Sequence, residues 1–168
     1  MKIEQLNTLS DNREELVALL RDCVESGASV GFLAPMEVNE AEGYWQGVAA
    51  DLTEGGRTLL VAREEGRIAG AVQISYCGKK NGSHRAEVEK LMVHTAFRQR
   101  GIAQELMAEV ERQARKNQRT LLILDTRTDD TASILYRKLG YQEAGQIPQF
   151  ARSSAGTLDG TTFFYKLL

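Results

Sequence analysis

The sequence predicts an α/β fold: a mixed, mostly antiparallel sheet with a central parallel strand pair and helices on both faces. Three observations predict it. Apolar segments at 58–62, 68–77 and 85–93, separated by turn signals, read as an antiparallel meander. From Gly101 to Lys116 the residues Ile102, Ala103, Leu106, Met107, Val110 and Ala114 then share one helical face. Leu121-Leu122-Ile123-Leu124 follows, apolar on both sides as a covered central strand would be. Strand, helix, strand implies a parallel pair with a right-handed crossover.

The elements run in order as follows. Ile3 to Leu6 reads as a first strand. Ser10 or Asp11 caps a helix over 12–25, whose Leu16, Val17, Leu19, Leu20, Cys23 and Val24 recur at helical spacing before Gly27 stops it. Gly27-Ala28-Ser29-Val30-Gly31-Phe32 is a glycine-rich loop. A second helix covers 39–51 with Tyr44 and Trp45, and Gly55-Gly56 breaks it. Glu64-Glu65-Gly66 closes a tight hairpin between the first two meander strands, and Asn81-Gly82 marks the turn before the third. A last helix over 131–139 is capped by Asp129 or Asp130 and stopped by Gly140. Strands at 141–147 and 161–168 finish the chain, joined by a polar Ser/Gly/Asp loop. No repeat, low-complexity segment or linker divides the sequence, so one domain spanning 1–168 is expected.

The bulk numbers exclude several classes. Hydrophobic residues are 42% and charged residues 26% of the 168, a globular composition. A net charge of −2 argues against a general nucleic-acid binder. No run approaches the ~18 apolar residues of a membrane span, and the N-terminus lacks the apolar stretch of a signal peptide. Cys23 and Cys77 have no metal-type or redox-type spacing, which fits two reduced thiols and a cytoplasmic location. No metal is expected.

Arg98-Gln99-Arg100-Gly101-Ile102-Ala103 carries the chemistry. It joins the strand ending at Val93 to the helix beginning near Gly101. A helix start leaves backbone N–H groups unpaired, and its dipole favours anions. Arginines stand on both sides of Gln99. Together these suit a pyrophosphate. The dinucleotide fingerprint G-x-G-x-x-G is absent, as is a Gly-Lys-Ser/Thr phosphate loop. A solvated basic turn with a glycine kept for backbone geometry accounts for the six residues equally well on spacing alone.

The segment from Val88 through Ala103 resembles motif A of the GNAT superfamily, the acyl-CoA-dependent N-acetyltransferases. Its Gln/Arg-x-x-Gly-x-Gly/Ala signature is met by Arg98, Gly101 and Ala103. Ala132-Ser133-Ile134-Leu135-Tyr136-Arg137-Lys138-Leu139-Gly140-Tyr141 resembles motif B, about 30 residues on. The resemblance covers about Thr58 to Leu168, and more weakly the N-terminal helices. A closer similarity, carried by Gly27–Phe32, Arg85–Val93 and Leu124-Asp125-Thr126, is to the tabtoxin-resistance branch, which acetylates an amino-acid-like β-lactam toxin. One departure stands out: Asp129 occupies a position where many members carry Asn.

The resemblance implies a GNAT-like sheet whose central parallel pair is splayed at a β-bulge. The bulge falls near Lys90 to Val93, where alternation breaks down. It implies acetyl-CoA as cosubstrate, held by Leu91, Met92, Val93, Arg98, Gln99, Arg100, Gly101, Ile102, Ala103 and Ser133. Leu91 N–H would donate to the thioester carbonyl. Glu87 matches a base in some members, although Glu87 and Glu89 share a strand face and could both be solvated carboxylates. Asp125 is a second acid that could serve as base, bind a substrate ammonium or cap a turn. Tyr136 is the candidate acid towards the coenzyme sulfur; a core tyrosine is the alternative. Gly27–Phe32, Tyr44, Trp45 and the Pro148-Gln149-Phe150 loop are expected at the acceptor, a small amino-acid-like amine, with Trp45 as helix packing the competing reading. A non-catalytic acyl-CoA sensor and a protein N-acetyltransferase are the rival functions, and a homodimer is left open.

Overall fold

A computed structural model describes residues 1–168. Seven strands form one sheet: β1 (Lys2–Leu6), β2 (Arg57–Glu64), β3 (Arg67–Tyr76), β4 (Arg85–Val93), β5 (Leu121–Arg127), β6 (Gln142–Arg152) and β7 (Leu158–Leu167). Their order is β1-β2-β3-β4-β5-β7-β6, and only β4 and β5 are parallel. Four helices cover it: α1 (Arg13–Glu25), α2 (Val38–Glu54), α3 (Ile102–Lys116) and α4 (Thr131–Lys138). None is long and apolar enough to cross a membrane.

Side-chain parity divides the core between the sheet's faces. On one face Leu59, Val61 and Ala71 pack with Leu16, Leu19 and Leu20 of α1 and Trp45 of α2. On the other, Leu60, Val72, Ala86, Val88, Leu122 and Leu124 pack with Leu106 and Val110 of α3 and Tyr136 of α4. Trp45 is fully buried and its Nε1 donates to Leu16 O at 3.0 Å. It locks α1 to α2, at roughly 4–6 kcal/mol of buried aromatic surface. The expectation that Trp45 meets the acceptor therefore gives way to helix packing.

The parallel pair is short. Arg85, Ala86 and Glu87 register with Leu121, Leu122 and Ile123, and the pairing goes no further. The cause lies on the opposite edge of β4. Gln73 pairs with Glu89 and Ala71 with Met92, so Val72 faces both Lys90 and Leu91. Lys90 takes a φ of 51°, uncommon for a residue with a side chain. This is the expected β-bulge, and it bends β4 away from β5. It also reverses parity: Val88 before it and Leu91 and Val93 after it pack on the α3 side, while Met92 joins the α1–α2 side.

The α1 cap and the extent of β6 differ from expectation, while at α4 the structure selects one of the two expected caps. The residue before α1 is Asn12, with no side-chain cap, so neither Ser10 nor Asp11 caps the helix. For α4 the cap is Asp130, whose carboxylate accepts from Ala132 N–H. The segment Pro148-Gln149-Phe150 is not a loop but part of β6. The ladder breaks after Ile147 and resumes at Ala151 and Arg152 opposite Asp159 and Leu158. β6 is an exposed edge strand, where a proline without an N–H costs no ladder bond on its open side.

Candidate active site

The α3 N-terminus is built by two left-handed residues. Gln99 and Gly101 have φ of 63° and 80°, and the chain between them coils tightly. No backbone N–H from Gln99 through Gln104 donates to a carbonyl or side chain of the protein. The first intrahelical bond is Glu105 N–H to Gly101 O at 3.1 Å. A run of free donors at the positive end of a helix is an anion cradle.

This turn is tied down from α1. The Asp22 carboxylate accepts from Thr95 N–H and Thr95 Oγ1, both at 2.7 Å. Arg98 donates to Val93 O at 3.2 Å and to Ser26 Oγ at 2.7 Å, clamping the end of β4 to the end of α1. Arg98 thus both lines the cleft and holds its frame. Arg100 goes elsewhere: its guanidinium stacks over Phe97 at 5.2 Å and reaches towards Glu65 at 3.8 Å. The structure does not bring it to the cleft.

A cleft of about 1390 Å³ runs from the α3 turn through the gap between β4 and β5 to the loop joining α1 and α2. Leu91, Met92, Val93, Gln99, Gly101, Ile102 and Ala103 line it with Glu87, Asp125 and Tyr136. Ser133 does not. Its Oγ is buried without a partner beside a smaller hollow, one residue round the helix from Ala132, which does face the cleft. At Gly101 nothing of the protein lies within 4 Å of a built Cβ, so positive φ and room for a ligand, rather than a clash, explain the glycine.

The acidic groups lie on the α1–α2 side of the gap. Glu87 pairs with Ile123, and Asp125, two residues further along β5, shares that face. Glu89, also on that face, is occupied: Arg57 donates to it at 2.8 Å and also to Asp51 and to the buried Gln73. Glu87 makes no hydrogen bond or ion pair. Burial, then the charges of Glu89 and Asp125, push its carboxyl above the usual range. Asp125 accepts from Thr161 Oγ1 at 2.6 Å.

Tyr136 is 6% exposed, packed 5.8 Å from Phe164 and 5.9 Å from Tyr141 between ring centroids. Its hydroxyl has no partner in the protein. Burial, then Asp130 and Asp125, raise its pKa, so the phenol keeps its proton at neutral pH. Tyr44 is held by Gln73 at 2.8 and 3.1 Å and pushed up to about 12 by burial. Phe150 is half exposed at the cleft rim, edge-on to Phe163.

Sequence reasoning passed over Lys90 as a mere interruption of the strand pattern. Its Nζ lies 6.0 Å from the centre of the Phe32 ring and 5.7 Å from that of Tyr44. The signal was present: a charged residue amid an apolar strand is where a bulge turns a side chain out.

One bulge opens the sheet, with unpaired N–H donors at the α3 turn and the carboxylates of Glu87 and Asp125 lining the same cleft. A model of the Acetyltransferase (GNAT) family matches residues 13–141. An uncharacterized N-acetyltransferase encoded in the hisH-hisA intergenic region of Azospirillum brasilense is 32% identical over 128 residues, 74% of each chain. The chain belongs to the acetyltransferase (GNAT) family. Among solved structures, the ribosomal-protein-alanine N-acetyltransferase of Brucella melitensis is similar over 100% of both chains, with a TM-score of 0.83 and 25% identity. A putative acetyltransferase from Salmonella typhimurium, solved with its cofactor acetyl-CoA, has a TM-score of 0.79 at 18% identity, over 100% of this chain and 94% of its own.

Proposed function

We propose that the protein is an acetyl-CoA-dependent N-acetyltransferase acting on the amine of a small, amino-acid-like molecule. The observation that carries this reading is the run of free N–H donors from Gln99 through Gln104, opening on the same cleft as Glu87, Asp125 and Tyr136. Those donors fit a diphosphate, and Arg98 adds charge beside them. The gap between β4 and β5 fits a pantetheine arm, whose amides would pair with strand edges that no neighbouring strand uses. Acetyl-CoA, when bound, supplies an activated acyl group.

The chain's own residues then have separate tasks. Glu87 takes a proton from the acceptor ammonium, directly or through water; its raised affinity for protons makes it a stronger base than an ordinary carboxylate. Asp125 holds the same ammonium by charge while Thr161 fixes its carboxylate. Leu91 N–H donates to the reacting carbonyl oxygen, where a fixed donor favours developing negative charge. Tyr136 gives its proton to the departing sulfur.

A small acceptor is favoured over an extended chain by a contact between two walls of the cleft. Ala34 N–H donates to Ser154 Oγ at 2.9 Å, joining the α1–α2 loop to the β6–β7 turn. The likeness of Gly27–Phe32 and Arg85–Val93 to the tabtoxin-resistance branch supports the same acceptor class. The test is thiol release from acetyl-CoA by the purified protein against a panel of amines that includes amino acids, amino-acid β-lactams and short peptides. Turnover of small amines supports the proposal; turnover of peptides alone, or binding of coenzyme without turnover of any amine, overturns it.

A further inference from the structure

We infer that Lys90 is the acceptor-specificity residue, binding the free α-carboxylate of an amino-acid substrate whose amine faces Glu87 and Asp125. The inference rests on the N-acetyltransferase reading and narrows its substrate class. Four cationic side chains line the cleft: Lys90, Arg98, Arg127 and Arg152. Three are committed. Arg98 donates to Val93 O and Ser26 Oγ, Arg127 lies 3.7 Å from both Asp130 and Asp159, and Arg152 donates to Gly156 O. Lys90 alone has neither an ion-pair partner nor a hydrogen-bond acceptor.

Its position is built rather than incidental. The bulge gives Lys90 its positive φ and turns the side chain to the acceptor side of the sheet. There the ammonium stands beside the Phe32 and Tyr44 rings, which are edge-on to each other at 5.2 Å. The Gly31 backbone passes so close that a Cβ there would lie 3.5 Å from Nζ. Aromatic faces attract a cation but accept none of its three N–H donors well. The nearest acidic neighbour in sequence, Glu89, is taken by Arg57. Lys90 therefore keeps its donors for a ligand.

The arrangement has a polarity. The carboxylates of Glu87 and Asp125 and the Lys90 ammonium line the same cleft, on the α1–α2 side of the sheet, with Lys90 set apart beside Phe32 and Tyr44. That pattern is complementary to a zwitterion. A simple alkylamine would satisfy the acidic end only, and an amino-acid amide would leave Lys90 with a neutral oxygen. A charged hydrogen bond of this kind discriminates by about tenfold or more.

The experiment compares kcat/KM for thiol release from acetyl-CoA with the L-amino acids and with their C-terminal amides, using the wild-type protein, Lys90→Met and Lys90→Arg. The expected result is that the accepted amino acids exceed their amides by at least about tenfold in wild type, that Lys90→Met removes this preference through KM, and that Lys90→Arg restores part of it. Equal use of acids and amides by wild type, which needs no variant to fold, overturns the inference while leaving acetyl transfer standing. So does a preference that survives Lys90→Met. No thiol release with any amine overturns the acetyltransferase reading, and this inference with it.

Discussion

Gly70→Ala tests whether α3 is seated on the bulged strand as described. Gly70 lies mid-β3, opposite Ala62 on one side and Val93 on the other. A Cβ built there would stand 2.8 Å from Met92 O, 3.1 Å from Ile102 Cγ2 and 3.2 Å from Leu106 Cδ1. The first contact is with backbone just past the bulge, and the other two are with the opening turns of α3, so little can yield cheaply. Overpacking of this kind costs about 1–3 kcal/mol. At about 2–4 °C per kcal/mol for a chain of this size, the melting temperature should fall by roughly 2–12 °C. The strain falls on the helix turn that carries the free N–H groups, so coenzyme A binding should weaken as well. A shift that loosens one charged hydrogen bond would raise Kd about tenfold or more. Thermal unfolding followed by circular dichroism reads the first effect and titration calorimetry with coenzyme A the second. Gly43→Ala is the control: it lies in α2 with nothing within 4 Å, and should hold or raise stability. A Gly70→Ala protein melting within about 1 °C of wild type, with unchanged coenzyme affinity, would refute the packing account.

Glu87→Gln should lower kcat/KM and remove the acid limb of its pH profile, since the base must lose its proton to act and its proton affinity is raised. A carboxyl with a raised folded-state pKa favours the fold at low pH and disfavours it once ionised, so the same variant should melt slightly higher at neutral pH, by no more than about 1 kcal/mol given cleft water, and equally with wild type below the unfolded carboxyl pKa. An unchanged pH profile would remove Glu87 from the mechanism. Tyr136→Phe should lower kcat at least about tenfold with little loss of fold, because the hydroxyl has no partner in the protein; stopped-flow thiol release gives the measurement. Gly101→Ala should weaken coenzyme A binding, measured by calorimetry, and cost about 1–2 kcal/mol of stability from the left-handed φ of 80° alone.

The sequence carried the meander, the crossover helix and the phosphate turn because each rests on local signals. Periodicity marks α3, Glu65-Gly66 with φ of 53° and 78° marks the hairpin, and the Arg98–Ala103 turn marks the cradle. Resemblance placed the bulge, and Lys90 proved to be its left-handed residue. What was lost depended on contacts remote in sequence or on rotation about an element. Glu87 and Glu89 look alike in the chain, and only Arg57 on β2 separates the free carboxylate from the paired one. Ser133 and Arg100 sit within recognisable motifs, yet one faces a second hollow beside α4 and the other is turned onto Phe97 by the left-handed residues flanking it. The length of β6 was illegible because an edge strand exposed along its whole length has no hydrophobic alternation to read.

One inserted residue links the fold's topology to its chemistry. Without the bulge, Glu87, Glu89, Leu91 and Val93 would share a face by simple alternation. Two apolar side chains would then crowd the acidic acceptor side, and β4 would stay paired with β5. The extra residue sends Leu91 and Val93 to the α3 side, brings Met92 to the α1–α2 side and ends the parallel ladder at Glu87. It therefore sorts the lining as well as opening the sheet: Leu91 and Val93 turn to the side of α3, and Glu87 and Lys90 stand with Met92 on the other. Because the bulge falls at a lysine, the same distortion that parts β4 from β5 also puts a cation on the side of the sheet that holds Glu87 and Asp125.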